Sequence, residues 1–219
     1  MPENIRDLIG RKGIVAVLEI ENEKDALPVA EALLKGGVSV IELALRTPAA
    51  EPSIALIAEK VKDMVVGVGT IIESGQASRV KKQRNVCFGV SPGLNPEIVR
   101  EAIDAGLPFV PGIATPSELE QAISLGSRVV KFFPAEPMGG INYLKSMSAP
   151  YRHLNIKYIP LGGVSLSNLA EYAALDDILC IGGSWLAGKD LIRSGNWAEI
   201  SRRSREAMDI WESVRGRKE

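Results

Sequence analysis

Short apolar runs alternate with helix-type segments along the whole chain, spaced by roughly two dozen residues, the rhythm of βα units around a parallel sheet. The runs are Ile14 to Leu18, Val38 to Leu43, Met64 to Val68, Val86 to Val90, Pro108 to Val110, Val129 to Phe133, Ile156 to Leu161 and Ile178 to Ile181. Eight strands with eight crossovers predict a (β/α)8 TIM barrel, and a chain of 219 residues lies at the compact end of that fold's range. No linker, low-complexity tract or second domain interrupts the rhythm, so residues 1–219 read as a single barrel domain. A short N-terminal helix from Asn4 to Ile9 is expected over the barrel floor. A terminal helix is expected from Trp197 to Val214, with Ile200, Met208 and Trp211 among its apolar positions.

The punctuation agrees with this pattern. Gly36-Gly37, Gly106 and Gly126 each follow a helical pattern and precede a strand, where a left-handed residue closes a helix. Thr115-Pro116-Ser117-Glu118 reads as an N-cap, a proline at the first helical position and a reciprocal capping glutamate, and Asn95-Pro96-Glu97 repeats the signal.

Barrels carry their chemistry at the C-terminal ends of the strands and in the loops that follow. There, Ser127 to Glu136 places Lys131 at the end of a strongly apolar run, between Val129-Val130 and Phe132-Phe133, with Pro134 ending the ladder. One reading is an ordinary strand lysine whose stem packs while its ammonium reaches water. The other is chemical: an amine held in apolar surroundings has its charged form disfavoured, and the neutral nucleophile that results can form a Schiff base. After strand two come Glu42, Arg46 and Thr47; after strand three comes Gly67-Val68-Gly69-Thr70. Strands two and six are both even-numbered, and alternate strands share a layer inside the barrel, so Glu42 and Lys131 are expected to face one another. A carboxylate opposite a lysine is a candidate proton shuttle, and Arg46 is either a surface charge or a fork for a substrate carboxylate.

Two Gly-Gly turns follow strands seven and eight, Leu161-Gly162-Gly163-Val164-Ser165 and Ile181-Gly182-Gly183-Ser184-Trp185. These are the two loops where barrels bind phosphate on backbone N–H groups and a helix start.

Composition narrows the partners. Lys and Arg total 26 against 27 Asp and Glu, so no basic excess points to nucleic acid, and a small-molecule partner is expected. No apolar stretch approaches the roughly 18 residues of a membrane span, and the N-terminus carries no signal-like segment. Cys87 and Cys180 lie far apart in apolar runs and read as buried thiols of a cytoplasmic protein. The only histidine, His153, sits in a polar, proline-flanked segment and reads as a surface residue, which argues against a zinc site or a nucleophile–histidine pair.

Taken together, these residues resemble the 2-keto-3-deoxy-6-phosphogluconate aldolases, also called 4-hydroxy-2-oxoglutarate aldolases, which are class I enzymes on a (β/α)8 barrel. The resemblance spans nearly the whole chain. It rests on Ile41-Glu42-Leu43 running into Leu45-Arg46-Thr47, Val66-Gly67-Val68-Gly69-Thr70, Val90-Ser91-Pro92-Gly93, Pro111-Gly112 with Thr115-Pro116-Ser117-Glu118, Lys131-Phe132-Phe133-Pro134-Ala135-Glu136, and Ile181-Gly182-Gly183-Ser184-Trp185-Leu186. It implies that Lys131 forms the Schiff base and Glu42 is the general acid/base. It further implies that Arg46 and Thr70 hold the keto acid's carboxylate, and that Gly162, Gly163, Gly182, Gly183 and Ser184 bind phosphate. No cofactor and no metal are implied; a keto acid phosphate as substrate and a homotrimer are. The reaction implied is reversible cleavage to pyruvate and an aldehyde, glyceraldehyde 3-phosphate in the simplest case.

Two positions depart from the family pattern. Leu161 stands where relatives usually carry threonine, which puts substrate stereochemistry and the galactonate-derived epimer in play. Glu19 follows Val17-Leu18 where many relatives carry arginine, reversing a charge near the mouth. Two rivals stand beside this reading: a barrel isomerase or epimerase acting on a sugar phosphate, and a non-catalytic phosphosugar-binding barrel in which Lys131 only pairs with Glu42.

Overall fold

The computed structural model of the protein describes residues 5–216. Nine strand segments appear in it: β1 (Ile14–Leu18), β2 (Val40–Ala44), β3 (Val65–Gly69), β4 (Val86–Val90), β5 (Phe109–Val110), β6 (Gly112–Ile113), β7 (Val129–Phe132), β8 (Lys157–Pro160) and β9 (Ile181–Gly183). All pairings are parallel, in the orders β5-β4-β3-β2-β1-β9 and β6-β7-β8. Both seams between these sheets are closed by backbone hydrogen bonds. Ser91 N donates to Val110 O at 3.2 Å and Lys131 N to Pro111 O at 2.9 Å, so β5 and β6 are two halves of one barrel strand, divided by a proline that has no N–H to give. Tyr158 N donates to Asp177 O at 2.9 Å and Leu179 N to Tyr158 O at 3.0 Å, joining β8 to the segment that leads into β9. The result is the (β/α)8 barrel that the apolar rhythm predicts.

The helices are α1 (Ile5–Ile9), α2 (Ala26–Lys35), α3 (Ala50–Lys60), α4 (Gln76–Lys81), α5 (Pro96–Asp104), α6 (Pro116–Ser124), α7 (Gly140–Ser148), α8 (Leu166–Ala173), α9 (Lys189–Arg193) and α10 (Trp197–Arg215). The capping box of α6 forms as its sequence predicts, with Thr115 and Glu118 bonded reciprocally, and Asn95 caps α5 by accepting from Glu97 N. Gly37, Gly106 and Gly126 take left-handed φ angles of 92°, 68° and 87°, whereas Gly36 remains right-handed at −82°. Helix α1 closes the floor, with Ile9 fully buried against the interior cluster; the expected first residue of that helix, Asn4, lies outside the described residues.

Each strand is buried on both faces, and its alternation sorts side chains into two cores. Val15, Val40, Phe88, Val129 and Ile159 point into the barrel. Ile14, Ala16, Ile41, Val130 and Phe132 pack outward against the helices. With Val129 inward, Val130 outward and Phe132 outward, Lys131 is directed into the barrel.

Several expectations need correction. The second run begins its ladder at Val40 rather than Val38, and the eighth lies at Ile181–Gly183, with Ile178 making only an isolated bridge to Tyr158. Cys180 is buried but Cys87 is half-buried, because the β3–β4 register jumps from Val66↔Val86 to Gly67↔Phe88 and leaves Cys87 as the bulged residue. His153 is exposed, as its polar segment predicts, and lies in a short 3-10 helix (Ala149–Leu154). Among the described residues no helix is long and apolar enough to cross a membrane.

Candidate active site

Lys131 and Glu42 meet inside the upper barrel, where Lys131 Nζ donates to Glu42 Oε1 at 2.9 Å. The two residues are 5% and 3% exposed. Their meeting depends on a glycine in the neighbouring strand. A Cβ at Gly69 would stand 2.4 Å from Glu42 Oε1 and 2.8 Å from its Cγ, so the carboxylate occupies the space that the missing side chain leaves. The Phe133 ring centroid lies 5.4 Å from Nζ, within cation–π range. Cys180, wholly buried, has its thiol pushed far up from the ordinary range, first by burial and then by the Glu42 charge, and so remains a neutral, unreactive thiol. Desolvation of two charges offsets most of what a buried pair gains, so the pair gives little stability and its presence points to chemistry.

A second group stands at the mouth. Arg46 Nε donates to Thr70 Oγ1 at 3.2 Å, and Arg46 Nη1 pairs with Glu19 Oε2 at 3.4 Å. Thr70 has φ of 62°, a left-handed conformation that a β-branched residue adopts at a cost of about 1–3 kcal/mol; such strain concentrates at functional sites. Thr47 is not part of this group, since its hydroxyl donates to the Ile20 carbonyl. Glu19 Oε1 accepts from Lys189 Nζ at 2.5 Å, so this carboxylate is itself held between two cations.

Between the buried pair and this rim lies a cavity of about 370 Å³, lined among others by Lys131, Phe133, Arg46, Leu161, Gly162, Gly163, Gly182 and Ser184. The turn after β8 fits the expectation of two adjacent glycines in special conformations, with φ of 89° at Gly162 and 87° at Gly163. A Cβ at Gly163 would lie 2.5 Å from Glu136 Cβ, and Glu136 accepts a 2.6 Å hydrogen bond from the Tyr172 hydroxyl. Burial, and then this bond to Glu136, raises the tyrosine's pKa. Helix α8 starts immediately after, with Ser165 and Asn168 forming its capping box.

The second glycine pair is not a turn. Gly182 and Gly183 are extended residues of β9, and they are glycine for packing: a Cβ at Gly182 would fall 2.3 Å from Leu161 Cδ1, and one at Gly183 would fall 2.7 Å from Trp185 Nε1. Gly182 and Ser184 line the cavity; Gly183 is turned toward the Trp185 indole. Leu161, 5% exposed, covers Gly182 and gives the cavity an apolar wall with Phe133 and Val164. Sequence reasoning missed Lys189. The usable signal was its position directly after strand eight, at the start of a helix, on the face already searched for phosphate contacts.

No group of three or more His, Cys, Asp and Glu side chains that could hold a metal occurs among the described residues.

With a buried lysine–glutamate pair beneath a glycine-rimmed cavity in view, the sequence model of the KDPG and KHG aldolases matches residues 5–203. The chain belongs to that family. Among family relatives, it is 40% identical over 208 residues to the 2-dehydro-3-deoxy-phosphogluconate aldolase of Haemophilus influenzae, covering 95% of both chains. It is 37% identical over 196 residues to the KHG/KDPG aldolase of Escherichia coli K12, covering 90% of this chain and 91% of the other. The family's KDPG aldolase from Legionella pneumophila, solved with pyruvate captured at low pH as a covalent carbinolamine intermediate, superposes with a TM-score of 0.87. That protein is 34% identical, with 92% of this chain and 97% of the other covered.

Proposed function

We propose that this protein is a class I aldolase that reversibly cleaves 2-keto-3-deoxy-6-phosphogluconate to pyruvate and glyceraldehyde 3-phosphate. The observation that carries this reading is the 2.9 Å contact of a buried lysine amine with a buried carboxylate at the base of a cavity. Family membership supports the same reaction.

Glu42 takes the proton from Lys131 and frees its lone pair, which adds to the substrate's C2 carbonyl to give a carbinolamine. Glu42 gives that proton back to the carbinolamine hydroxyl, which leaves as water, so that an iminium forms and Glu42 is again a carboxylate. Glu42, acting through a water, removes the C4 hydroxyl proton; the C3–C4 bond breaks, the aldehyde leaves, and the bonding electrons pass to the iminium nitrogen as an enamine. Protonated Glu42 returns a proton to C3, and hydrolysis releases pyruvate and the amine. The iminium nitrogen is the electron sink, so the sequence of steps closes without a cofactor.

Arg46, oriented by Thr70, holds the C1 carboxylate. Gly162 and Gly163 ahead of α8, with Gly182 and Ser184, hold the phosphate, and Gly183 supports them from behind. Leu161 extends the reading to the galactonate-derived epimer, because an apolar wall does not distinguish the two C4 arrangements by hydrogen bonding. The chain acts as one domain in the cytoplasm, and as a homotrimer like the family it resembles. The test is pyruvate release from 2-keto-3-deoxy-6-phosphogluconate, coupled to lactate dehydrogenase with EDTA present. Stoichiometric pyruvate and glyceraldehyde 3-phosphate are expected; a protein that binds the compound without releasing pyruvate would be a phosphosugar-binding barrel instead.

A further inference from the structure

Glu19 lines the cavity but is not used in the mechanism above. In the β1–β2 register Val17 is level with Glu42, so Glu19 stands two residues nearer the mouth on the same inward face, one side-chain layer above the reacting pair. It lines the cavity, and its side chain is only 19% exposed. Lys189 on Oε1 and Arg46 on Oε2 fix its orientation.

The rest of the lining shows why this placement matters. Substrate atoms beyond C3 carry hydroxyls, and each buried hydroxyl needs a partner. Val17, Ala44, Phe133, Leu161 and Val164 offer none through their side chains, while Arg46, Lys131 and Lys189 carry donors. Only Glu19 and Ser184 among the lining side chains can accept a hydrogen bond. Among the described residues Glu19 is also the only lining carboxylate, so a second carboxylate attached at C4 would enter beside a like charge.

We infer that Glu19 is a specificity-determining residue that reads the aldehyde half of the substrate. Its carboxylate accepts a hydrogen bond from the hydroxyls of a polyhydroxylated chain and disfavours aldehydes bearing a carboxylate, of the glyoxylate type. The inference rests on the aldolase reading and adds to it a choice between two substrate classes, favouring 2-keto-3-deoxy sugar acid phosphates over 4-hydroxy-2-oxoglutarate. Lys189 is then a positioning residue that holds Glu19 in place.

The experiment is kcat/KM for 2-keto-3-deoxy-6-phosphogluconate and for 4-hydroxy-2-oxoglutarate in the wild type and in Glu19→Gln. Borohydride trapping of the pyruvate adduct is measured on both proteins. The two substrates share the C1 carboxylate and the C2 ketone, so any disturbance passed through Arg46 cancels in their ratio. The ratio favouring the phosphogluconate compound should fall by about 10- to 100-fold in the variant, the scale of a charge-assisted hydrogen bond. Pyruvate trapping shows that Lys131 still reacts in the variant and reports any change passed through Arg46, which faces the carboxylate that pyruvate shares with both substrates. An unchanged ratio overturns the inference, whether both rates stay high or both fall with weakened trapping, and leaves Glu19 as an ion-pair partner of Arg46 and Lys189. Failure of the wild type itself to trap pyruvate would instead remove the aldolase reading, and this inference with it.

Discussion

Gly69→Ala puts one methyl group where the account says the Glu42 carboxylate must be. Gly69 is an extended residue of β3 with no left-handed requirement, so its backbone accepts alanine. The new Cβ would lie 2.4 Å from Glu42 Oε1, 2.8 Å from Cγ and 2.9 Å from Cδ, whereas ordinary contact starts near 3.4 Å. Glu42 must therefore retreat by about 1 Å, and the oxygen that moves is the one bonded to Lys131 at 2.9 Å. Overpacking of this size costs about 1–3 kcal/mol, or roughly 2–12 °C in Tm for a chain of this length. A displacement of about 1 Å at a reacting group costs on the order of 10²-fold in rate. The assay pairs thermal unfolding with kcat/KM for pyruvate release, and Gly67→Ala is the comparison, because its Cβ would meet the Phe88 ring at 2.1 Å rather than the carboxylate. Both variants should unfold at lower temperature, and only Gly69→Ala should lose about two orders of magnitude in kcat/KM. A Gly69→Ala enzyme as active as Gly67→Ala would refute the claim that Glu42's position governs turnover.

Glu42→Gln keeps the shape of the side chain and removes its proton chemistry. It should still trap pyruvate with borohydride while kcat falls by on the order of 10²–10⁴, and a wild-type rate would reduce Glu42 to an ion-pair partner. At Leu161, an apolar wall separates near-isosteric hydroxyl arrangements by only about 1–3 kcal/mol, so kcat/KM for the gluconate- and galactonate-derived phosphates should differ by less than about 100-fold. Leu161→Thr should widen that gap in favour of the gluconate-derived compound; an unchanged ratio would mean that other residues set the stereochemistry.

The barrel was legible because each strand is buried on both faces and declares itself as an apolar run, and because helix caps such as Thr115 to Glu118 are local signals. The encounter of Lys131 with Glu42 was legible for a geometric reason: alternation and the even parity of their strands fix both the facing direction and the layer. What could not be read depends on neighbours distant in sequence. Gly182-Gly183 looks like a turn in isolation; its glycines answer to Leu161 and Trp185, which only the folded barrel brings against them. Gly69 likewise gives no hint alone that it makes room for Glu42. The division of the fifth strand at Pro111 was missed because Phe109 to Ile113 pairs with a different neighbour on each side of the proline. The clamp of Glu19 by Lys189 joins positions 170 residues apart in loops beyond the strand ends, which leave no periodic trace.

The central claim is that Lys131 is the nucleophile. Sodium borohydride reduction in the presence of pyruvate, followed by intact mass and peptide mapping, tests it directly. The account predicts one reduced pyruvyl group per chain, on Lys131, and no adduct in Lys131→Arg, whose guanidinium stays protonated. An unmodified wild-type protein, or an adduct on Lys145 or Lys157 instead, would contradict it.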